Sequence, residues 1–222
     1  MSTLRQALAQ SVFSHAALVP SNDLPDICWL DPAAARPRSL LILAAAGPEF
    51  WRHCSTAQSD PVDQLATNAA LAMAESLSLC GFLLYPAADA PLDLVAVMRH
   101  LGWVSGRSPL GMALSSEYGS YIAMRAVFGV VEAVELQVHG VASSKDTCID
   151  CAAPCVDACP AGAPSIERGF DIGACASVRR QTNNPCQQAC LARLACPAGA
   201  PYRYDDAQIV HHHTASRWFD AL

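Results

Sequence analysis

Cys148-Ile-Asp-Cys151-Ala-Ala-Pro-Cys155-Val-Asp-Ala-Cys159-Pro160 is the stretch that decides how this 222-residue chain is read. A second run, Cys186-Gln-Gln-Ala-Cys190 followed by Cys196-Pro197, repeats the theme, and Cys175 stands between the two. The hexapeptide CPAGAP occurs twice, at 159–164 and at 196–201. Of eleven cysteines, Cys28, Cys54 and Cys80 are scattered singly, whereas eight crowd between Cys148 and Cys196. Nothing in the first twenty residues reads as a secretory signal, so a reducing cytoplasmic setting is expected. There, such crowding means metal ligation rather than disulfides.

The spacing says which metal. Bacterial ferredoxins carry C-x2-C-x2-C-x3-C-P, in which the fourth cysteine ligates the other cluster. Three cysteines on a tight loop reach three irons of one cubane. The fourth corner must come from elsewhere, because a short loop cannot wrap the whole cube. Here the first run has one extra residue, Pro154, before its third cysteine, and the second run has five residues before its last. Eight cysteines and two Cys-Pro endings still supply two sets of four, as two 4Fe-4S clusters require. Structural zinc uses the same thiolates in paired C-x2-C knuckles. Only one C-x2-C exists here, at Cys148 and Cys151. Cys28, Cys54 and Cys80 read as inert packing thiols. His211-His212-His213 reads as a partly exposed polar patch, because three consecutive side chains cannot all face one way.

Upstream, the texture is that of alternating helix and strand. Leu4 to Leu18 is a candidate amphipathic helix, and residues 21–38 read as a loop. Ser39 to Ala46 is a continuous apolar run suited to a buried strand. Asp60-Pro61 opens a helix, with a capping Asp and Pro at its first position; Gly81 reads as its stop. Phe82 to Tyr85 is the next strand. A helix follows Pro91 and ends before Gly102. Tyr121 to Phe128 and Ala133 to Val138 are further strand candidates. The pattern predicts an α/β (α+β) domain over 1–144, a sheet covered by helices. After it comes a cysteine-rich module over 145–222, whose low periodicity requires metal to hold it.

The net charge is −6, which argues against nucleic acid as a main partner. No apolar run reaches the ~18 residues of a membrane span. An acidic surface suits docking to a redox partner protein or low-potential electron donor, although mild acidity also serves solubility alone.

The cysteine region resembles the C-terminal iron–sulfur module of the epoxyqueuosine reductases and their relatives, the corrinoid-dependent reductive dehalogenases. That family places a first ferredoxin run, an isolated cysteine, a cysteine pair and a final Cys-Pro in this order. Cys175, within ACASVRR, stands at the isolated position. The resemblance implies one cluster on Cys148, Cys151, Cys155 and Cys196, and another on Cys159, Cys175, Cys186 and Cys190. Further upstream, His100-Leu101-Gly102-Trp103-Val104-Ser105-Gly106-Arg107 and Glu117-Tyr118-Gly119-Ser120-Tyr121 are similar to the family's GLGWIGKN and YGSW stretches. Asp89-Ala90-Pro91 resembles the DSAP that carries its catalytic acid.

The resemblance covers roughly residues 82–200 and implies a nitroreductase-like N-terminal domain that binds cobalamin. Gly102, Trp103, Tyr118, Gly119, Ser120 and Tyr121 would help line that pocket, and Asp89 would be the proton donor. On residue pattern alone, Asp89 reads first as a helix N-cap before Pro91. There are departures. Gly106-Arg107-Ser108 replaces the Lys-Asn of the motif, one residue is missing between Asp89 and Pro91, and the family's tRNA-binding C-terminal helical repeats have no counterpart.

Three functions follow as expectations. The first is an iron–sulfur electron-transfer protein or reductase subunit. The second is a cobalamin-dependent reductase, an oxidoreductase acting on a small molecule. The third is a cluster-based sensor of redox state or oxygen.

Overall fold

The computed structural model describes residues 2–31, 35–55, 60–87, 90–143 and 146–215. They pack as two compact units, residues 1–103 with 122–142, and residues 104–121 with 143–222. The cysteine-rich texture begins near residue 144, but contacts also assign 104–121 to the second unit.

The first unit is mixed α/β around a five-stranded sheet. Its elements are α1 (Leu4–Ala9), β1 (His15–Pro20), β2 (Ser39–Ala46), α2 (Glu49–Arg52), α3 (Pro61–Ser76), β3 (Gly81–Tyr85), α4 (Leu94–His100), β4 (Ile122–Val130) and β5 (Gln137–His139). The strand order is β3-β4-β2-β1-β5, and every pair is antiparallel. The apolar run Ser39–Ala46 forms the central strand, buried along nearly its whole length. A strand flanked on both sides and covered on both faces needs such a run rather than an alternating one.

α3 follows its sequence signals. Asp60 caps it, accepting a hydrogen bond from the Asp63 N–H, and Pro61 occupies its first position. Val62, Ala66, Ala70, Met73 and Ala74 recur at helical spacing and are buried, so one face meets the sheet. Leu4, Phe13, Leu41, Leu43, Phe50 and Phe128 join the same core.

Four expectations need correction. The helix predicted over Leu4–Leu18 ends at Ala9, and His15–Pro20 is a strand. Ala16 through Val19 are all buried between β2 and β5, whereas a surface helix would have buried only a stripe. α3 stops at Ser76 rather than at Gly81; Leu77 is its C-cap, and Gly81 begins β3. The strand predicted over Ala133–Val138 shrinks to Gln137–His139, because the Val134 N–H goes to the Ser39 hydroxyl rather than to a neighbouring strand. The cap of α4 is Asp93, whose carboxylate accepts from the Val95 and Ala96 N–H groups. Asp89, predicted as cap or acid, lies outside the described residues.

The second unit holds short elements: α5 (Pro154–Asp157), β6 (Pro164–Ser165), β7 (Gly169–Phe170), α6 (Ile172–Arg179), α7 (Leu191–Ala195) and α8 (Asp206–Ala215). β6 and β7 pair as a small hairpin. Asp171 caps α6 through the Ala174 N–H. One small apolar cluster of this unit has Leu110, Ala153, Cys155, Ala192 and Cys196 as its buried members. No helix among the described residues is long and apolar enough to cross a membrane.

Candidate metal centre

The eight clustered cysteines are supplied by local devices, all within the second unit. Pro154, the extra residue of the first run, occupies the first turn of α5. Cys155 sits inside that helix, and Cys159 follows it, its N–H bonded to the Val156 carbonyl. Cys148 is fixed by its N–H donating to Asp146 Oδ1 at 3.0 Å. The Cys151 sulfur accepts from the Ala153 N–H at 3.4 Å. Cys175 rides on α6. Cys190 and Cys196 flank α7 as its N-cap and C-cap.

These positions sort the cysteines four and four. Cys148, Cys151, Cys155 and Cys196 line one cavity, of about 1050 Å³. Cys159, Cys175, Cys186 and Cys190 line another, of about 480 Å³. The short helices α5 and α7 pack against each other, and each carries one cysteine to each cavity. α5 gives Cys155 to the first cavity and leads to Cys159 on the second. α7 begins at Cys190 on the second and ends at Cys196 on the first. The repeated CPAGAP therefore marks the same exchange twice: each Cys-Pro cysteine faces the cavity opposite its own run.

Burial and mutual proximity keep these thiols protonated in the absence of a cation. Burial pushes the thiols of Cys148, Cys155, Cys175 and Cys186 up from their usual range. Cys175 is pushed up to about 11, first by burial and then by its neighbours Cys190 and Cys159. Grouped thiols of this kind ionise together only with metal between them. Among the described residues, no three His, Cys, Asp or Glu side chains gather tightly enough for a single ion. Four cysteines lining one cavity are a donor set that a cubane would take. The two sites thus fit iron–sulfur clusters.

The second cavity also holds residues whose position was not foreseen. His212 and His213, on α8, both line it, and His211, His212 and His213 are all partly exposed, as expected. His213 Nε2 lies 2.6 Å from the Cys186 carbonyl oxygen. A carbonyl only accepts, so Nε2 carries the proton. Burial lowers the His213 pKa, opposed in part by this bond to Cys186. Arg179, on α6, donates to the His213 carbonyl at 2.8 Å. Asn184 Oδ1 accepts from the Cys186 N–H at 2.9 Å, and its amide donates to the Arg179 and Gln181 carbonyls. The pair Asn183-Asn184 just before Pro185-Cys186 was the one available signal, since Asn side chains favour such local turns. Arg193 bonds Ser120 through its hydroxyl (2.9 Å) and its carbonyl (2.7 Å).

The positions named for a corrinoid make the following contacts within their own units. The Gly102 and Trp103 N–H groups close the end of α4 on the Arg99 and Met98 carbonyls. Trp103 is 1% exposed and lies edge-on to the buried His15. Gly119 sits in a tight turn whose two ends, Ser115 and Gly119, exchange backbone hydrogen bonds. Ser120 is held by Arg193, and Tyr118 packs on Tyr202. Tyr121 is fully buried and lines the cavity of Cys159, Cys175, Cys186 and Cys190.

No family model matches the sequence, and no curated protein matches it. Its fold is similar to that of epoxyqueuosine reductases. A selenomethionine-labelled epoxyqueuosine reductase aligns with a TM-score of 0.56 at 15% identity, over 93% of this chain and 67% of the other. An epoxyqueuosine reductase with a tRNA-Tyr epoxyqueuosine-modified stem loop aligns with a TM-score of 0.53 at 15% identity, over 91% of this chain and 66% of the other. The chain spans about two thirds of their length. At this identity the likeness is one of fold.

Proposed function

We propose that this chain is an iron–sulfur electron-transfer protein or reductase component. It would carry one 4Fe-4S cluster on Cys148, Cys151, Cys155 and Cys196, and a second on Cys159, Cys175, Cys186 and Cys190. One observation carries the reading. The eight cysteines line two cavities in sets of four, with each Cys-Pro cysteine crossing to the opposite set. A cubane supplies one-electron chemistry tuned by its ligands and surroundings. The chain's own part is to hold eight thiolates and to cover the clusters. Basic and histidine side chains, among them Arg179, Arg193 and His213, surround the second cavity. Asp146, Asp150 and Glu167 share the first with Arg107 and Arg168.

The test is anaerobic reconstitution with metal and sulfide analysis. About eight irons and about eight sulfides, reducible and reoxidisable without loss, support the reading. Zinc without sulfide overturns it. Irreversible loss of iron on reduction and reoxidation overturns electron transfer and favours a sensor.

The fold likeness to epoxyqueuosine reductases favours a second reading, a reductase whose clusters feed a catalytic centre. Cobalamin added to the anaerobic protein separates the two, because only a corrinoid enzyme shifts its cobalt spectrum on binding. One of the similar structures holds a tRNA stem loop. The −6 charge of this chain favours a protein redox partner instead. A gel shift with such a stem loop at physiological salt should show no complex.

A further inference from the structure

Cys186 is held at both of its backbone polar groups by side chains from different parts of the chain. Its N–H is taken by Asn184 Oδ1 at 2.9 Å and its carbonyl by His213 Nε2 at 2.6 Å. Asn184 is in turn fixed by donating to the Arg179 and Gln181 carbonyls, at the end of α6 and just beyond it. The His213 backbone is fixed by Arg179, which donates to its carbonyl. Arg179 lies one helical turn beyond Cys175 on the same helix. Asn184 and His213 therefore tie Cys186 to the helix that carries Cys175, one through the intervening loop and the other through α8.

We propose that Asn184 and His213 are positioning residues for the second cluster, with Arg179 as their common anchor and α8 as the strap that closes its cavity. The proposal rests on the two-cluster reading and extends it. Cys175 is isolated in sequence, so nothing local fixes its distance from Cys186. Two hydrogen-bonded routes from one arginine-bearing helix supply that constraint. Partners that orient a ligand from behind typically carry 10- to 100-fold in metal affinity. Of the two His213 ring nitrogens, Nε2 is spent on the Cys186 carbonyl, and the role proposed for the residue is geometric.

The experiment compares wild type, His213→Leu, His213→Gln and Asn184→Ala by the rate at which reconstituted protein yields iron to a chelator, with the electron paramagnetic resonance of each reduced cluster as a second readout. In His213→Leu and Asn184→Ala, about half of the iron should leave about 10-fold faster or more, while the other half keeps the wild-type rate. The signal of one cluster should change and that of the other should persist. His213→Gln keeps a donor of similar reach and should restore most of the wild-type rate. Equal release from His213→Leu and His213→Gln overturns the proposal. So does acceleration of all the iron together, which would mark a general loosening of the unit. A wild-type protein that binds no iron sinks the two-cluster reading itself, a result read before any variant is made.

Discussion

Gly119 and Gly199 meet backbone to backbone. A Cβ on Gly119 would fall on the Ala198 carbonyl, and one on Gly199 would fall on the Tyr118 carbonyl. Both have positive φ, +55° and +71°. The second CPAGAP thus closes on the Tyr118-Gly119-Ser120 turn with no room for a side chain on either strand of the contact. Gly119→Ala and Gly199→Ala should each cost about 2 kcal/mol or more, from the left-handed backbone and the clash together. Urea unfolding followed by visible absorbance of the clusters would show it. Gly162, at the matching place in the first CPAGAP, has open space there, and Gly162→Ala should cost less. An equal loss in all three would remove the clash from the explanation.

Cysteine replacement tests the division into two sites. Cys175→Ala takes one corner from the second cavity, and Cys155→Ala takes one from the first. Each should lower the iron content by about half, with loss of a different cluster signal. Cys28→Ala, Cys54→Ala and Cys80→Ala should leave the iron content unchanged. Iron lost in equal amount from one of these three would show that a ligand has been missed.

The contrast between these cysteines and the rest of the site explains what could be read before the fold was known. Ligands of one cluster must be close, so metal chemistry writes itself into local spacing at Cys148, Cys151 and Cys155. Asp60-Pro61 and the run Ser39–Ala46 are local signals of the same kind. His15–Pro20 was hidden because Ala16 to Leu18 is too short a run to separate strand from helix; only the neighbours β2 and β5 decide it. His213 and Arg193 were hidden for a further reason. They act on Cys186 and Ser120, 27 and 73 residues away, and no local pattern records such a pairing.

Removal of metal should separate the two units. The first has a broad apolar core that includes no clustered cysteine. The second counts Cys155, Cys186 and Cys196 among its buried residues, and two of them sit in one small apolar cluster. Chelation under mild oxidation should make residues 146–215 protease-sensitive while a fragment from the first unit survives. Equal resistance before and after iron removal would show that the second unit packs by other means.

Arg193 links α7 to the Ser120 turn. Its guanidinium bonds both the hydroxyl and the carbonyl of Ser120 and lies about 5 Å from the ring centres of Tyr121 and Tyr204, at 4.9 and 5.2 Å. Lysine carries the charge but neither the planar stack nor the fork. Arg193→Lys should therefore recover little of the roughly 2–3 kcal/mol lost in Arg193→Ala, measured by denaturant midpoint. Full recovery by lysine would reduce the residue to a point charge.

The alkaline limb of stability should belong to Tyr118 and Tyr202. The Tyr202 hydroxyl donates to Glu117 Oε1 at 2.7 Å, and the two tyrosine rings lie 4.5 Å apart, edge to face. Burial, then the Glu117 carboxylate, pushes Tyr118 up to about 12. The hydrogen bond to Glu117, then burial, raises Tyr202 as well. An unfolded tyrosine releases its proton near pH ~10. Between that pH and about 12 the folded chain holds a proton that the unfolded chain has lost, so stability falls as pH rises through this window and is untouched near neutrality. Tyr118→Phe removes the group that titrates and should flatten the fall in urea midpoint on the alkaline side. Glu117→Gln should shift the tyrosinate absorbance of the folded protein to lower pH, because the carboxylate that opposes ionisation is gone. An unchanged alkaline slope in Tyr118→Phe would place the titrating group elsewhere in the chain.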